Sequence, residues 1–135
     1  MTSNDKKYTT SVTVTGGRRG HAVSDDGVLD VQLRAPKTNG TSDGTNPEQL
    51  FAAAWAACFG SALEHIAKGK GVDPTDSSVR VEVYQGADYK LGANIFVSIP
   101  GADTATTQEL AEAAHAICPY SNATRGNMDV EVSAI

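Results

Sequence analysis

Two cysteines, Cys58 and Cys118, are the residues of this 135-residue chain best suited to covalent chemistry. A thiolate can attack the distal oxygen of a hydroperoxide and become a sulfenic acid, which a second thiol condenses to a disulfide. The pair therefore suggests Cys58 as a peroxide-reducing thiol and Cys118 as the thiol that resolves it. The alternative is that both are small core hydrophobes, since free cysteine is among the most buried residue types.

An arginine and a glutamate are candidates for activating this thiol. Peroxide reduction requires a lowered thiol pKa, which a neighbouring cation can supply. Arg18 follows the Gly16-Gly17 pair, where the backbone can approach another element closely. Glu48 is the candidate partner that holds the guanidinium through bidentate hydrogen bonds. The alternatives are a solvated surface charge for Arg18 and a helix-dipole acid for Glu48.

The spacing of these residues restricts how they meet. Glu48 and Cys58 lie ten positions apart on one predicted helix, or about 15 Å along its axis. They cannot touch along a regular helix, so a bend, a bridging arginine or a partner chain is required. We expect an active site completed across a dimer interface. An organic substrate would also need an apolar pocket, for which Phe51, Trp55 and Phe59 are candidates, although simple core packing explains them as well.

The same cysteines allow a second interpretation as a metal site. His65 follows Cys58 by seven positions and His115 precedes Cys118 by three, so a Cys₂His₂ set is conceivable. The spacing resembles no common zinc motif, and helix positions i and i+7 lie about 10 Å apart. We therefore expect structural histidines and no metal.

Composition excludes several classes of protein. A net charge of −5 and a pI near 5.0 argue against nucleic-acid binding, which needs a basic stripe. The polar N-terminus, residues 1–7, is not followed by an apolar run of signal-peptide length, and no stretch approaches the roughly 20 apolar residues of a membrane span. These features predict a cytoplasmic protein, where a catalytic or redox-sensing cysteine pair is favoured over a structural disulfide.

The elements that must position these residues follow from hydrophobic periodicity. A long helix is predicted from Pro47 to about Gly69, with Asn46 as its N-cap. From Leu50 to Leu63 it is apolar or small on nearly every side, which is typical of a helix buried all round. A chain of this size cannot bury such a helix easily, so we infer that a second subunit covers part of it.

A second helix and several strands complete the prediction. Thr106 and Glu109 form a capping-box signature, and Pro119 should end the helix near Cys118. Its predicted inner stripe comprises Leu110, Ala113, Ala114 and Ile117. Alternating apolar residues predict strands at 8–15, 29–33, 79–83, 95–99 and 128–132. The predicted architecture is α+β, with one domain over residues 1–135 and sheet on one side of two helices.

Four segments make the chain resemble the organic hydroperoxide resistance (Ohr) branch of the Ohr/OsmC family. They are Gly16-Gly17-Arg18, the run TNPEQLFAA at 45–53, Ala57-Cys58-Phe59 and the run CPYSNATRGN at 118–127. The two long runs are highly specific, and the resemblance extends from about Tyr8 to the C-terminus. It implies an Ohr/OsmC-like fold, in which antiparallel sheets pack against a long buried central helix and a second helix in an intertwined homodimer.

The resemblance also implies an activity. Members of the family reduce organic and lipid hydroperoxides, without haem, flavin or metal, and take electrons from dihydrolipoamide or lipoylated proteins. The family's peroxidatic and resolving cysteines correspond to Cys58 and Cys118, its catalytic arginine to Arg18 and its paired glutamate to Glu48. One position differs: Arg19 follows Arg18 here, where relatives usually carry a polar or acidic residue. A redox sensor or peroxide-binding protein without efficient turnover is the alternative function.

Overall fold

The computed structural model describes residues 5–135 and divides them into two compact units. The first unit runs as far as Pro47 and the second from Glu48 to Ile135. Residues 1–4, which open the predicted polar N-terminus and the predicted 1–135 domain, lie outside the described residues. That the two units form one domain stays a prediction.

The first unit is built around a three-stranded antiparallel sheet. Its strands are β1 (Val12–Thr15), β2 (His21–Ser24) and β3 (Asp30–Gln32), in the order β1-β2-β3. The alternating pattern correctly predicts β1 and β3, although both are shorter than expected. Strand β2, which the pattern left unassigned, pairs with both neighbours and occupies the centre of the sheet.

The second unit combines helices with a three-stranded mixed sheet. Its elements are α1 (Pro47–Gly69), β4 (Ser78–Gln85), β5 (Leu91–Ser98), α2 (Thr104–Ile117), α3 (Pro119–Thr124) and β6 (Asp129–Ala134). β4 and β5 pair antiparallel, whereas β5 and β6 pair in parallel. The parallel pair arises because α2 and α3 form a crossover between the two strands, as parallel pairing requires. The short helix α3 was not predicted.

Helix α1 contributes one continuous stripe to the core of this unit. Its buried side chains recur every four residues, which places them on one helix face: Trp55, Phe59, Leu63 and Ala67. They pack with buried residues of β5 and α2. Ala53, Ala57 and Ser61 are exposed, so burial on every side is not achieved within one chain. Cover by a second subunit stays a prediction.

The composition of α1 has a second consequence. By length and apolar character it is sufficient to cross a membrane, contrary to the expectation that no stretch approaches such a span. The reason is that alanines raise its apolar content on the faces outside the core stripe. A core helix of a soluble protein passes the same test, so this finding is weak evidence for a membrane segment.

Helix α2 begins earlier than its predicted cap. Asp103 is the N-cap, and its carboxylate accepts a hydrogen bond from the Thr106 backbone N–H at 2.7 Å. The Thr106–Glu109 capping box is therefore wrong, because Thr106 lies inside the first turn. The inner stripe changes accordingly: Ile117 is 45% exposed, and the buried residues are Thr107, Leu110, Ala111 and Ala114.

Candidate active site

The two cysteines come together inside the second unit. Cys58 lies partly buried near the middle of α1, and Cys118 is fully buried between α2 and α3. Both thiols are free and belong to the same core cluster. They lie close enough for Cys118 to change the pKa of the Cys58 thiol, so a thiol and a potential disulfide partner are neighbours in this unit.

The backbone around Cys118 is fixed by the two helices that it joins. Cys118 has extended geometry (φ −67°, ψ 123°) because Pro119, at the first position of α3, disfavours helical geometry in the preceding residue. The Cys118 N–H donates to the Ala114 carbonyl at 2.8 Å, and its carbonyl accepts from the Asn122 N–H at 2.9 Å. The prediction that the second helix ends just before Pro119 is confirmed.

The environment of Cys58 disfavours its thiolate. Burial raises the pKa of the Cys58 thiol most, and the neighbouring Cys118 thiol raises it further. The backbone N–H of Tyr120, in the first turn of α3, opposes this by donating to the sulfur, which lowers the pKa. A cation that activates Cys58 has to overcome the effect of burial on its pKa, and the lowering of that pKa by Arg18 stays a prediction.

The aromatic residues of α1 belong mainly to the core. Trp55 and Phe59 are fully buried, and Phe51 stacks on Trp55 with ring centroids 5.5 Å apart. Trp55 and Phe59 therefore have no exposed surface in the single chain with which to line a substrate pocket. The alternative of simple core packing holds for these two residues.

A buried polar network beside the cysteines was not found by sequence reasoning. The Trp55 indole donates to the Ser121 hydroxyl at 3.2 Å, and that hydroxyl also hydrogen-bonds His115 Nδ1 at 2.8 Å. Ser121 is fully buried. Its position in the CPYSNATRGN run, three residues after Cys118, was the available signal.

The position of His115 is explained by its hydrogen bond to Ser121 in this network. Burial lowers its pKa, and the positive charge of Arg125 lowers it further. Its ring also lies 6.3 Å from that of Phe59. Across residues 5–135, no three His, Cys, Asp or Glu side chains are grouped so that they could hold a metal ion. The geometry thus gives the Cys₂His₂ alternative no support.

Arg18 lies in a tight turn of the first unit. The 3₁₀ turn Gly17–Arg19 connects β1 to β2, and both arginines in it are exposed. Glycine is required on both sides: Gly16 has φ +86°, and a Cβ on Gly20 would lie 1.6 Å from the Thr15 carbonyl oxygen. The glycine pattern around Arg18 therefore serves the turn that presents its side chain.

Glu48 lies in the first turn of α1. Because α1 is uninterrupted from Pro47 to Gly69, Glu48 and Cys58 are separated by about 15 Å along its axis. Glu48 and Arg18 each have an interaction partner. Of the four predicted catalytic residues, the second unit brings Cys58 and Cys118 together, whereas α1 itself keeps Glu48 away from Cys58.

Comparison with known proteins identifies the family. The family model described as "OsmC-like protein" matches residues 40–133. The chain is 48% identical to organic hydroperoxide resistance protein OhrB of Bacillus subtilis over 132 residues, which cover 93% of this chain and 96% of OhrB. The chain belongs to the Ohr/OsmC family. Organic hydroperoxide resistance protein of Xanthomonas axonopodis pv. citri is 46% identical, with 93% of each chain covered.

Solved structures confirm the Ohr/OsmC fold. The crystal structure of Bacillus subtilis OhrB superposes with a TM-score of 0.88 and 46% identity, covering 96% of this chain and all of that one. An organic hydroperoxide resistance protein from Legionella pneumophila gives a TM-score of 0.85 and 41% identity, covering 96% and 98% of the two chains. The resemblance stated from the two long motifs, and the α+β Ohr/OsmC-like fold that it implied, are both confirmed.

Proposed function

We propose that this protein is a cysteine-based peroxidase that reduces organic hydroperoxides to alcohols. The observation that carries the proposal is the contact between Cys58 and Cys118, two free thiols within one unit of an Ohr/OsmC chain. Relatives named for organic hydroperoxide resistance support the substrate class. Thiol peroxidase chemistry needs one attacking thiol and one resolving thiol in reach of each other, which this pair provides.

The reaction has two oxidative steps. The Cys58 thiolate attacks the distal peroxide oxygen, the O–O bond breaks, and the alkoxide leaves as an alcohol after taking a proton. Cys58 is then a sulfenic acid. The Cys118 sulfur displaces the sulfenic oxygen, which leaves as water, and a disulfide forms. Cys58 is suited to the first step because it is the less buried of the two thiols, and Cys118 to the second.

Arg18 and Glu48 complete the proposed catalytic set. A guanidinium beside the Cys58 sulfur would stabilise the thiolate against the burial that raises its pKa, and would polarise the peroxide. Glu48 would orient that guanidinium. Since α1 keeps Glu48 about 15 Å from Cys58 along its axis, an arginine side chain bridging the two is part of the proposal.

The proposal includes a homodimer. The exposed face of α1 carries small residues, among them Ala53 and Ala57, and a cleft of about 330 Å³ lies between this helix and β4. Exposed small apolar residues permit close approach of another helix, as a buried central helix in a dimer requires.

The proposed reductant is a dithiol of the lipoyl class, free or protein-bound. A dithiol opens the Cys58–Cys118 disulfide by thiol–disulfide exchange and becomes a cyclic disulfide itself, so electrons balance without haem, flavin or metal. The proposal also includes a cytoplasmic location, where thiols are kept reduced.

The decisive experiment follows consumption of cumene hydroperoxide or tert-butyl hydroperoxide with dihydrolipoamide as the reductant. We expect the wild type to turn over, Cys58→Ser to be inactive, and Cys118→Ser to react once and then turn over poorly. Absence of turnover by a folded wild type that still forms the disulfide would favour a redox sensor. Absence of both turnover and disulfide would leave two structural thiols.

A further inference from the structure

Ser121 joins three helices through one hydroxyl group. It lies on α3 and is fully buried. Its oxygen lies 3.2 Å from the Trp55 indole nitrogen of α1 and 2.8 Å from Nδ1 of His115 on α2. A buried hydroxyl that bonds to two other elements fixes their relative position, because breaking either bond leaves a buried polar group unsatisfied.

One arrangement of protons gives every group of this network a partner. An indole N–H only donates, so the Ser121 oxygen accepts from Trp55. The Ser121 hydroxyl can then donate to His115 Nδ1 in the tautomer that leaves this nitrogen unprotonated. Burial and the Arg125 charge lower the His115 pKa, which favours the neutral ring. Among the described residues, no buried side-chain nitrogen or oxygen lacks a partner.

The Trp55–Ser121 hydrogen bond connects the same two segments of the chain as the cysteine pair, at matching positions. Trp55 precedes Cys58 by three residues on α1, and Ser121 follows Cys118 by three residues at the start of α3. The Trp55–Ser121 bond and the Cys58–Cys118 contact are therefore successive contacts between the same two segments, about 4.5 Å apart along α1. A fixed Trp55–Ser121 bond limits how far Cys118 can move relative to Cys58.

We propose that Ser121 is a positioning residue for closure of the Cys58–Cys118 disulfide. The inference rests on the proposed function, in which a hydroperoxide oxidises Cys58 to the sulfenic acid. In the step concerned, the Cys118 sulfur attacks the Cys58 sulfur, the sulfur–oxygen bond of the sulfenic acid breaks, and water leaves with the thiol proton. A disulfide requires Cα atoms about 4.4–6.8 Å apart. The α2–α3 junction, which contains Cys118, must therefore stay packed against α1 while the disulfide forms.

Arg125 also stabilises the α2–α3 junction, through hydrogen bonds at its surface. Its guanidinium donates to the His115 carbonyl at 2.6 Å and to the side-chain oxygen of Asn122. The first of these bonds satisfies a carbonyl in the last turn of α2, where no intrahelical donor exists. Ser121 nevertheless provides the link to α1 that Arg125 does not, and it is the residue to test.

The test compares Ser121→Ala with Thr124→Val. Thr124 is also a buried hydroxyl residue of α3, but its hydroxyl bonds only carbonyls of the same helix, those of Tyr120 at 3.0 Å and Ser121 at 3.2 Å. Reduced protein is mixed with one equivalent of cumene hydroperoxide. Trapping of the sulfenic acid and mass spectrometry of the disulfide are followed in the same samples.

We expect Ser121→Ala to form the sulfenic acid at the wild-type rate and to close the disulfide about tenfold more slowly. With excess peroxide, its Cys58 should accumulate as sulfinic acid, the next product of an unresolved sulfenic acid. Thr124→Val should close at the wild-type rate. A merely structural role would slow both steps, or would slow closure equally in the two variants.

Wild-type closure in folded Ser121→Ala would overturn the inference. If that variant does not fold, Trp55→Phe removes only the indole donor, and the same comparison of closure rates decides. Closure of the disulfide by diamide, which needs no peroxide, keeps this inference separate from the proposed function. If the wild type does not react with hydroperoxide, the proposed peroxidase function is wrong. If diamide closes the disulfide at the same rate in the wild type and in Ser121→Ala, the positioning role is wrong.

Discussion

Cys118, at the α2–α3 junction, lies close enough to Cys58 on α1 to raise the pKa of the Cys58 thiol. The proposed resolving cysteine, Cys118, thus disfavours ionisation of the proposed peroxidatic cysteine, Cys58. The Tyr120 N–H, from the turn that follows Cys118, acts in the opposite direction. Residues of the α2–α3 junction therefore modify the Cys58 pKa in both directions, in addition to burial, which raises it most.

Replacing Cys118 should make Cys58 more acidic. Cys118→Ala removes the neighbouring thiol that raises the Cys58 pKa, while burial still raises it. The pH profile of Cys58 alkylation by iodoacetamide, read by peptide mass spectrometry, should move to lower pH than in wild type. Cys118→Ser, which keeps a polar atom but not an ionisable thiol, should move less. An unchanged profile in Cys118→Ala would contradict this account.

The two arginines of the Gly17–Arg19 turn should differ in their effect on catalysis. If Arg18 is the activating cation, Arg18→Gln should lower kcat/KM for cumene hydroperoxide by about a hundredfold, as loss of one preorganised charge-stabilising group does. Arg19→Gln, in the same exposed turn, is the matched control and should retain activity. The reverse result would assign the role to Arg19. Steady-state assays with dihydrolipoamide measure both.

The cap of α2 should make stability depend on acid. Hydrogen bonds from the Thr106 N–H and then the Thr106 side chain lower the Asp103 pKa below its ordinary 3.8. A carboxyl with a depressed folded-state pKa contributes stability above 3.8 that is lost as pH falls below it. Asp103→Asn keeps a neutral cap, so its melting temperature should be lower than that of wild type at pH 7, with the difference shrinking towards pH 3. A constant difference would refute this.

His115 should give a second pH dependence with its own window. Its folded-state pKa lies below the ordinary 6.5, so the unfolded chain binds a proton first as pH falls. The unfolded state then gains stability, and the free energy of unfolding should drop below pH 6.5 until the folded ring also titrates. Urea unfolding at several pH values, followed by the fluorescence of Trp55, measures the drop.

Two variants test the assignment of this effect to His115. Arg125→Gln removes the neighbouring positive charge, which is the second cause of the lowered His115 pKa. It should narrow the pH range over which the free energy of unfolding falls. His65→Gln changes an exposed histidine of α1 and should leave the window unchanged. Loss of the dependence in His65→Gln would mean that the wrong histidine has been identified.

The local elements were predictable because their signals are local. The bounds of α1 follow from Pro47 at the first helical position and from an apolar run that ends near Gly69. The end of α2 follows from Pro119, which acts on its immediate neighbour. Errors arose where two local signals competed: Asp103, three residues before Thr106, took the cap that the Thr106–Glu109 pattern also offered.

The family, the α+β class, the long helix α1 and the four candidate residues could be predicted from the sequence, since each depends on a motif or a period within a short stretch. The folded structure was needed to find that Cys58 lies beside Cys118, that the Trp55 side chain binds Ser121, and that β6 pairs with β5 in parallel. Such contacts join segments far apart in the chain. They depend on how whole elements pack, because hydrogen bonding and burial in the core are properties of the assembled unit rather than of any one segment.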